Sequence, residues 1–320
     1  MAENKYTTVV SSWTNTLTNL VVRDYQEHGL VIDDYSKKCA MSAMTSIYQL
    51  VKDSDKLSDL NKLDQSNLRE IVGTCASLKL NANAVPREVY FQIRTKKVGS
   101  EYFPIVEMGI EGDGNDALLR NFGENVKEVY PVWLVKEGDD FTYPKHKGIE
   151  ITPPEWEEKG LSEKCIRVVY PVMMNDGKVQ YLISERESVK VNLIAHIRNN
   201  MMNETFGICE NRYRATDKQK MAIKAKKEEV LDAVRKCDTV DEMLTCEVAR
   251  PFISAAWLDT PESMIIRKMR NNAIKKFKKN YDQMAKRSQI MIDDSYVESR
   301  EEIQEQANSE EFVVDAEVVE

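Results

Sequence analysis

The chain is 320 residues long, 42% hydrophobic and 31% charged, with a formal net charge of −8, which suits a charge-rich globular protein of one large domain or two smaller ones. No apolar run approaches the roughly 18–20 residues of a bilayer span, and the opening MAENKYTTVVSSWTNTL lacks a basic-then-apolar leader pattern. A cytosolic protein is expected, with Cys39, Cys75, Cys165, Cys209, Cys237 and Cys246 as reduced, buried or half-buried thiols.

Apolar spacing between Trp13 and Val51 predicts two helices broken near His28 and Gly29. Ser58 to Leu80 predicts another, on Leu60, Leu63, Leu68, Ile71, Val72, Cys75 and Leu78. After Pro86 the residues turn β-branched and aromatic, and a hairpin is predicted from Val89–Arg94 and Tyr102–Met108 around a Lys-Lys-Val-Gly-Ser turn. A short helix, Asp116 to Phe122, closes at Gly123. Strands follow at Glu128–Lys136 and Phe141–Tyr143. Asn175-Asp176-Gly177 between two β-rich runs is the strongest hairpin signal in the chain. Ser184-Glu185-Arg186-Glu187 has the capping-box pattern and predicts a helix start. Helices are also predicted over Thr216–Lys236, which is lysine-rich, and from near Asp238. The last begins at Asp259-Thr260-Pro261-Glu262 and carries Ile266, Met269, Ala273, Phe277, Tyr281 and Met284 on one face.

From Asp293 onward the chain holds eleven acids against one Arg, an excess that keeps a segment disordered. Without this tail the remainder is near +2, and locally it is strongly basic.

Signatures of common enzymes are missing. There is no GxxxxGK[ST] loop, and Gly112-Asp113-Gly114 lacks the third glycine of a dinucleotide fingerprint. His28, His146 and His196 read as solvated or core-edge residues with no GxSxG or HExxH nearby. Glu111, Asp113 and Asp116 could hold magnesium for phosphodiester cleavage, but ordinary loop and cap chemistry is the better reading of them. Arg267, Lys268, Arg270, Lys275, Lys276, Lys278 and Lys279 make a basic helix face able to neutralise a row of phosphates; a solvated face is the plain alternative. On the hairpin, Arg94, Lys96 and Lys97 lie beside Tyr90, Phe91, Tyr102 and Phe103, a mix suited to phosphates and bases, although aromatics alternating in a strand are more often core.

Several motifs in a common order resemble the RecT/Redβ family of phage single-strand annealing proteins, from roughly Leu68 to Tyr281, with a similar acidic tail. They are NLREIVGTCASLKLNANAVPREVYFQI, MGIEGDGNDALLRNFG with its closing Arg120 and Gly123, VYPVWLVKEGDDFTY with Lys136 to Phe141, CIRVVYPVMMNDGKVQYLISERESVK, and WLDTPESMIIRKMRNNAIKKF. The chain departs from the family at Ile110-Glu111, which replaces an aromatic-or-basic pair. It also departs in an insertion at about Asn203 to Arg250, longer and more basic than typical, and in an N-terminal third without a matching motif.

The resemblance implies an α+β fold, a small antiparallel sheet flanked by helices, with an annealase core and a disordered acidic tail. It divides the chain into a helical region 1–60 making oligomer contacts, a DNA-annealing core 61–290 with helical insertion 203–250, and a tail 291–320. The implied activity is ATP-independent binding and annealing of single-stranded DNA in homologous recombination, by a ring or filament, with no catalysis. Expected phosphate contacts are Arg94, Lys96, Lys97, Arg120, Arg198, Arg267, Lys268, Arg270 and Lys275. No cofactor is expected, no ATP, with magnesium only as a modulator of annealing. Expected partners are single-stranded DNA and the annealed duplex, copies of the chain itself, a host single-strand binding protein through the C-terminal region and a phage exonuclease, with no membrane. The expected location is the cytoplasm of a bacterial host, from a phage or prophage gene. Two other readings stay open: a magnesium-dependent nuclease on Glu111, Asp113 and Asp116, and a phage assembly protein that oligomerises without DNA.

Overall fold

In the computed structural model the described residues are mixed α/β, 50% helix and 21% strand, with their strands in small antiparallel sheets. The structure describes residues 32–54, 60–98, 101–212 and 214–293, with 16, 19–23 and 25–27 before them. The expected helix break at His28 and Gly29 and the acidic tail lie outside the described residues. Two compact units are formed. One takes the described residues up to Val129 with Met173–Lys178 and those from Ile274 onward; the other takes Tyr130–Val172 and Val179–Ala273.

In the first unit, helices α1 (Asp34–Lys52) and α2 (Gln65–Ser77) each start on an aspartate. Asp33 accepts the Ser36 amide at 2.7 Å, and Asp64 accepts those of Ser66 and Asn67 at 2.8 and 3.0 Å, satisfying donors that have no intrahelical partner. The helix predicted over Ser58–Leu80 is therefore shorter. Leu60–Lys62 is a separate 3-10 turn, and Asp64 restarts the chain. Ala40, Met44, Ile47 and Val51 of α1 bury against Leu68, Val72 and Ala76 of α2, the three- and four-residue steps of one helix face.

Strands β1 (Val89–Val98) and β2 (Glu101–Ile110) form the expected hairpin, extended at both ends. Alternation sends Val89, Phe91, Ile93, Val106 and Met108 into the helical cores. Helix α3 (Gly112–Phe122) begins four residues before the predicted Asp116, because the Gly-Asp-Gly run is helical. There Gly114 passes so close to the Glu88 carbonyl and Ile110 that a Cβ would strike both. Gly123 ends α3 with φ −56°, and its small size is required by Leu119 and Val126. Strand β3 (Val126–Val129) follows.

The second unit opens with β4 (Trp133–Lys136). The single strand predicted over Glu128–Lys136 is interrupted at Pro131, which cannot donate to a ladder. Four three-residue strands come next: β5 (Asp140–Thr142), β6 (Lys145–Lys147), β7 (Glu150–Thr152) and β8 (Glu155–Glu157), paired β5 with β8 and β6 with β7. Strands β9 (Cys165–Met174) and β10 (Val179–Glu185) turn on Asn175-Asp176-Gly177 as expected, with Gly177 at φ 82°.

The Ser184 capping box is not built. Strand β10 runs through Glu185, a 3-10 turn spans Arg186–Val189, and α4 (Lys190–Asn200) starts after it. Ser184 instead pairs with the Ser188 hydroxyl at 2.8 Å. Helices α5 (Asp217–Arg235) and α6 (Val240–Thr245) start on Thr216 and Thr239, and Thr216 and Gln219 form the one reciprocal capping box among the described residues. Helices α7 (Ala255–Asp259) and α8 (Pro261–Lys275) complete the unit. Its core joins Leu193, Ile197, Val234, Met243, Trp257 and Met269.

Helix α8 stops at Lys275 instead of continuing to Met284, and helix resumes over 283–293. Lys275, Lys276, Lys278 and Lys279 would crowd like charges at helical spacing. The Lys279 ammonium instead folds back to donate to the Ile274 and Phe277 carbonyls at 3.3 and 3.4 Å. Phe277, Tyr281 and Met284 consequently leave the predicted helix face.

Candidate nucleic-acid interface

The expected phosphate-binding residues divide between the two units. In the first, β-pairing sets Arg94 opposite Ile105, Lys96 opposite Phe103 and Lys97 opposite Tyr102. Arg94 and Lys96 stand two residues apart, on the hairpin face turned away from the helical cores. Both are half-buried. The side chains of Lys97 and Tyr102 lie outside the described residues. Arg94 is ion-paired through Nε to Glu107, whose carboxylate also accepts from Gln92, so its charge is locally compensated.

The hairpin aromatics mostly serve the fold. Phe91 packs into the helical cores, and the Tyr90 ring lies across Gly109 where any Cβ would strike it. Phe103 is 41% exposed and stays open to a ligand.

Arg120 ends α3 and is exposed. Its charge partly offsets the burial that pushes the Glu88 carboxyl up. The acids of the nuclease reading lie at the head of the same helix. Glu111 stands 4.0 Å from Arg87, and Asp113 falls in the first helical turn. Among the described residues no three His, Cys, Asp or Glu side chains gather as a metal site.

In the second unit, α8 buries Ile265 and Met269 and leaves Arg267, Lys268 and Arg270 half-buried. This is less open than a solvated basic face. Arg270 donates through Nε to the Tyr170 hydroxyl at 2.8 Å, and Tyr170 is itself 1% exposed. Arg270 is therefore a structural tie, since it satisfies a buried hydroxyl. Arg198 on α4 is exposed, as is Lys275 at the end of α8, which falls in the first unit. Lys278 pairs with Glu124 at 2.8 Å while its side chain is 72% exposed, and Lys279 donates to backbone carbonyls.

His196 stands at the core edge, accepting the Ser254 amide at 3.1 Å, with its ring 6.0 Å from that of Trp257. Burial, and after it the charge of Lys268, hold the imidazole below its ordinary pKa. The unfolded chain then binds the extra proton more readily. Stability from this residue is complete above the ordinary histidine value of about 6.5 and declines as pH falls through it. Urea midpoints compared above and below that pH are expected to fall on acidification, and to fall less in His196→Gln. An equal decline in both would contradict the assignment.

Lysines absent from the expected contacts stand on α5. Lys218, Lys220, Lys224 and Lys226 are exposed, and the lysine-rich run was the signal for them. No family model, curated protein or solved structure matches the chain.

Proposed function

We propose that the chain binds single-stranded DNA along its backbone and anneals complementary strands without ATP, as an oligomeric ring or filament of the RecT/Redβ kind acting in recombination. The observation that supports this reading is the order in which its motifs fall on elements. Hairpin β1–β2 comes first, then α3 closing at Arg120 and Gly123, the Lys136–Phe141 turn after β4, hairpin β9–β10, and α8 after Trp257. A RecT-like core belongs to the same proposal. So do magnesium as a modulator, a phage or prophage origin in a bacterial cytoplasm, and partnership with a host single-strand binding protein and an exonuclease.

In this mechanism the chain supplies charge and alignment. Arg120, Arg198 and Lys275 are exposed, and Arg94, Lys96, Arg267 and Lys268 are half-buried. Neutralised phosphates release counterions, which supplies affinity and leaves the bases unread. Pairing of the two strands then supplies the free energy of annealing.

Titrating a labelled oligonucleotide at several salt concentrations tests the reading. Affinity should fall linearly on a double-logarithmic plot, and salt-independent or absent binding would overturn it. Glu107→Gln is expected to release Arg94 and steepen the slope by about 0.7, the share of one single-strand contact. An unchanged slope in a folded variant would place Arg94 outside the interface.

A further inference from the structure

Helix α5 has two dissimilar halves. Its C-terminal half buries Val230, Leu231 and Val234 in the core of the second unit. Its N-terminal half buries only Ile223 and leaves Met221 67% exposed. That half carries Lys218, Lys220, Lys224, Lys226 and Lys227, with Asp217 as its one acid, while Glu228, Glu229 and Asp232 come later.

This charge order runs against the helix dipole. The N-terminal end is the positive pole, where acids in the first turn stabilise and lysines there, Lys218 and Lys220, work against the fold. Local conflict of this kind is characteristic of positions retained for binding. Asp217 offsets Lys220 at 3.6 Å and Glu229 offsets Lys226 at 2.6 Å. Lys218 and Lys224 have no ion pair among the described residues.

Positive charge is concentrated further by Arg212 just before the helix. Lys227, which donates to the Met202 carbonyl at 2.8 Å, is lowered to about 8 by burial and then by the charge of Arg212. At 3.6 residues per turn Lys220 and Lys224 stand one turn apart on one exposed face of the helix, so a single strand can meet both.

We infer that the N-terminal half of α5 is an additional contact surface for the phosphate backbone of single-stranded DNA, with Lys220 and Lys224 as its principal contacts. The inference rests on the proposed DNA-binding function and assigns to the insertion 203–250 a share in holding the strand.

The test uses the full chain and a labelled oligo-dT in fluorescence anisotropy over a salt series. The double variant Lys220→Gln, Lys224→Gln is compared with a charge-matched control, Lys38→Gln, Lys52→Gln. All four positions are exposed, so circular dichroism should show both variants folded. The α5 variant is expected to lose about 1.4 from the slope of log affinity against log salt, two contacts at about 0.7 each, with the control unchanged. Arginines at the two α5 positions should restore the slope. An unchanged slope, or an equal loss in the control, overturns this inference and leaves DNA binding standing. Failure of the unaltered chain to bind overturns both.

Discussion

Replacing Arg186 with alanine is expected to cost about 1.5–3 kcal/mol of stability, the worth of a hydrogen bond to a charged group, since the Asp241 and Glu262 carboxylates it leaves are 39% and 35% exposed and stay hydrated. Arg186 is 5% exposed. Its Nη1 donates to Glu262 and to the Cys165 carbonyl, both at 2.9 Å, and Nη2 donates to Asp241 at 2.6 Å. One guanidinium thus ties the start of α8 to α6 and β9. Alanine would leave the Glu262 and Asp241 carboxylates without it; Lys164 would still pair with Asp241 at 2.9 Å, and the Cys165 amide would still donate to Glu262 at 2.6 Å. Lysine would not rescue the loss, because a single ammonium cannot reproduce the fork.

Chemical denaturation of Arg186→Ala and Arg186→Lys measures this directly, and a loss under about 1 kcal/mol would place the pair among ordinary surface bridges. Acid should act through the same contact. Burial works to raise the Asp241 carboxyl, but Arg186 and Lys164 outweigh it and hold the group below its ordinary value. Its stabilisation is therefore present at neutral pH and is lost as pH falls below the usual aspartate range of about 3.9.

The largest expected effect on function comes from Arg267 and Lys268. Reversing both to glutamate should weaken oligonucleotide binding about tenfold or more at low salt and lower the salt slope by about 1.4, two contacts at 0.7. Arg270 is left intact in this variant. Its tie to the buried Tyr170 hydroxyl means that reversing it would unsettle the fold and blur the reading. Arg270→Gln is a separate case, expected to lower stability more than affinity. If Arg267→Glu with Lys268→Glu binds with the same slope as the unaltered chain, α8 lies outside the interface.

Local signals in the sequence were informative where the structure is local. Helical spacing located α1, α5 and α6; Asn175-Asp176-Gly177 marked the β9–β10 turn; and Pro261 marked the start of α8. Misreadings came from contacts distant in sequence. Ser184 to Glu187 matches a capping box, yet Arg186 is drawn to acids 55 and 76 residues away, and the chain there is strand and 3-10 turn. The basic run after Arg267 reads as one face until Glu124, Tyr170 and two backbone carbonyls claim part of it. Strands of three residues, as in β6 to β8, are too short to show a period. A residue's charge is legible in sequence, whereas its availability depends on which partner the fold brings to it.

The central claim is annealing, and two complementary oligonucleotides carrying a donor and an acceptor dye test it most directly. With no ATP present, the chain should accelerate the rise in energy transfer in proportion to its concentration, and both strands should be recovered at full length, with or without magnesium. Unaccelerated pairing, or strands shortened in magnesium, would contradict the account.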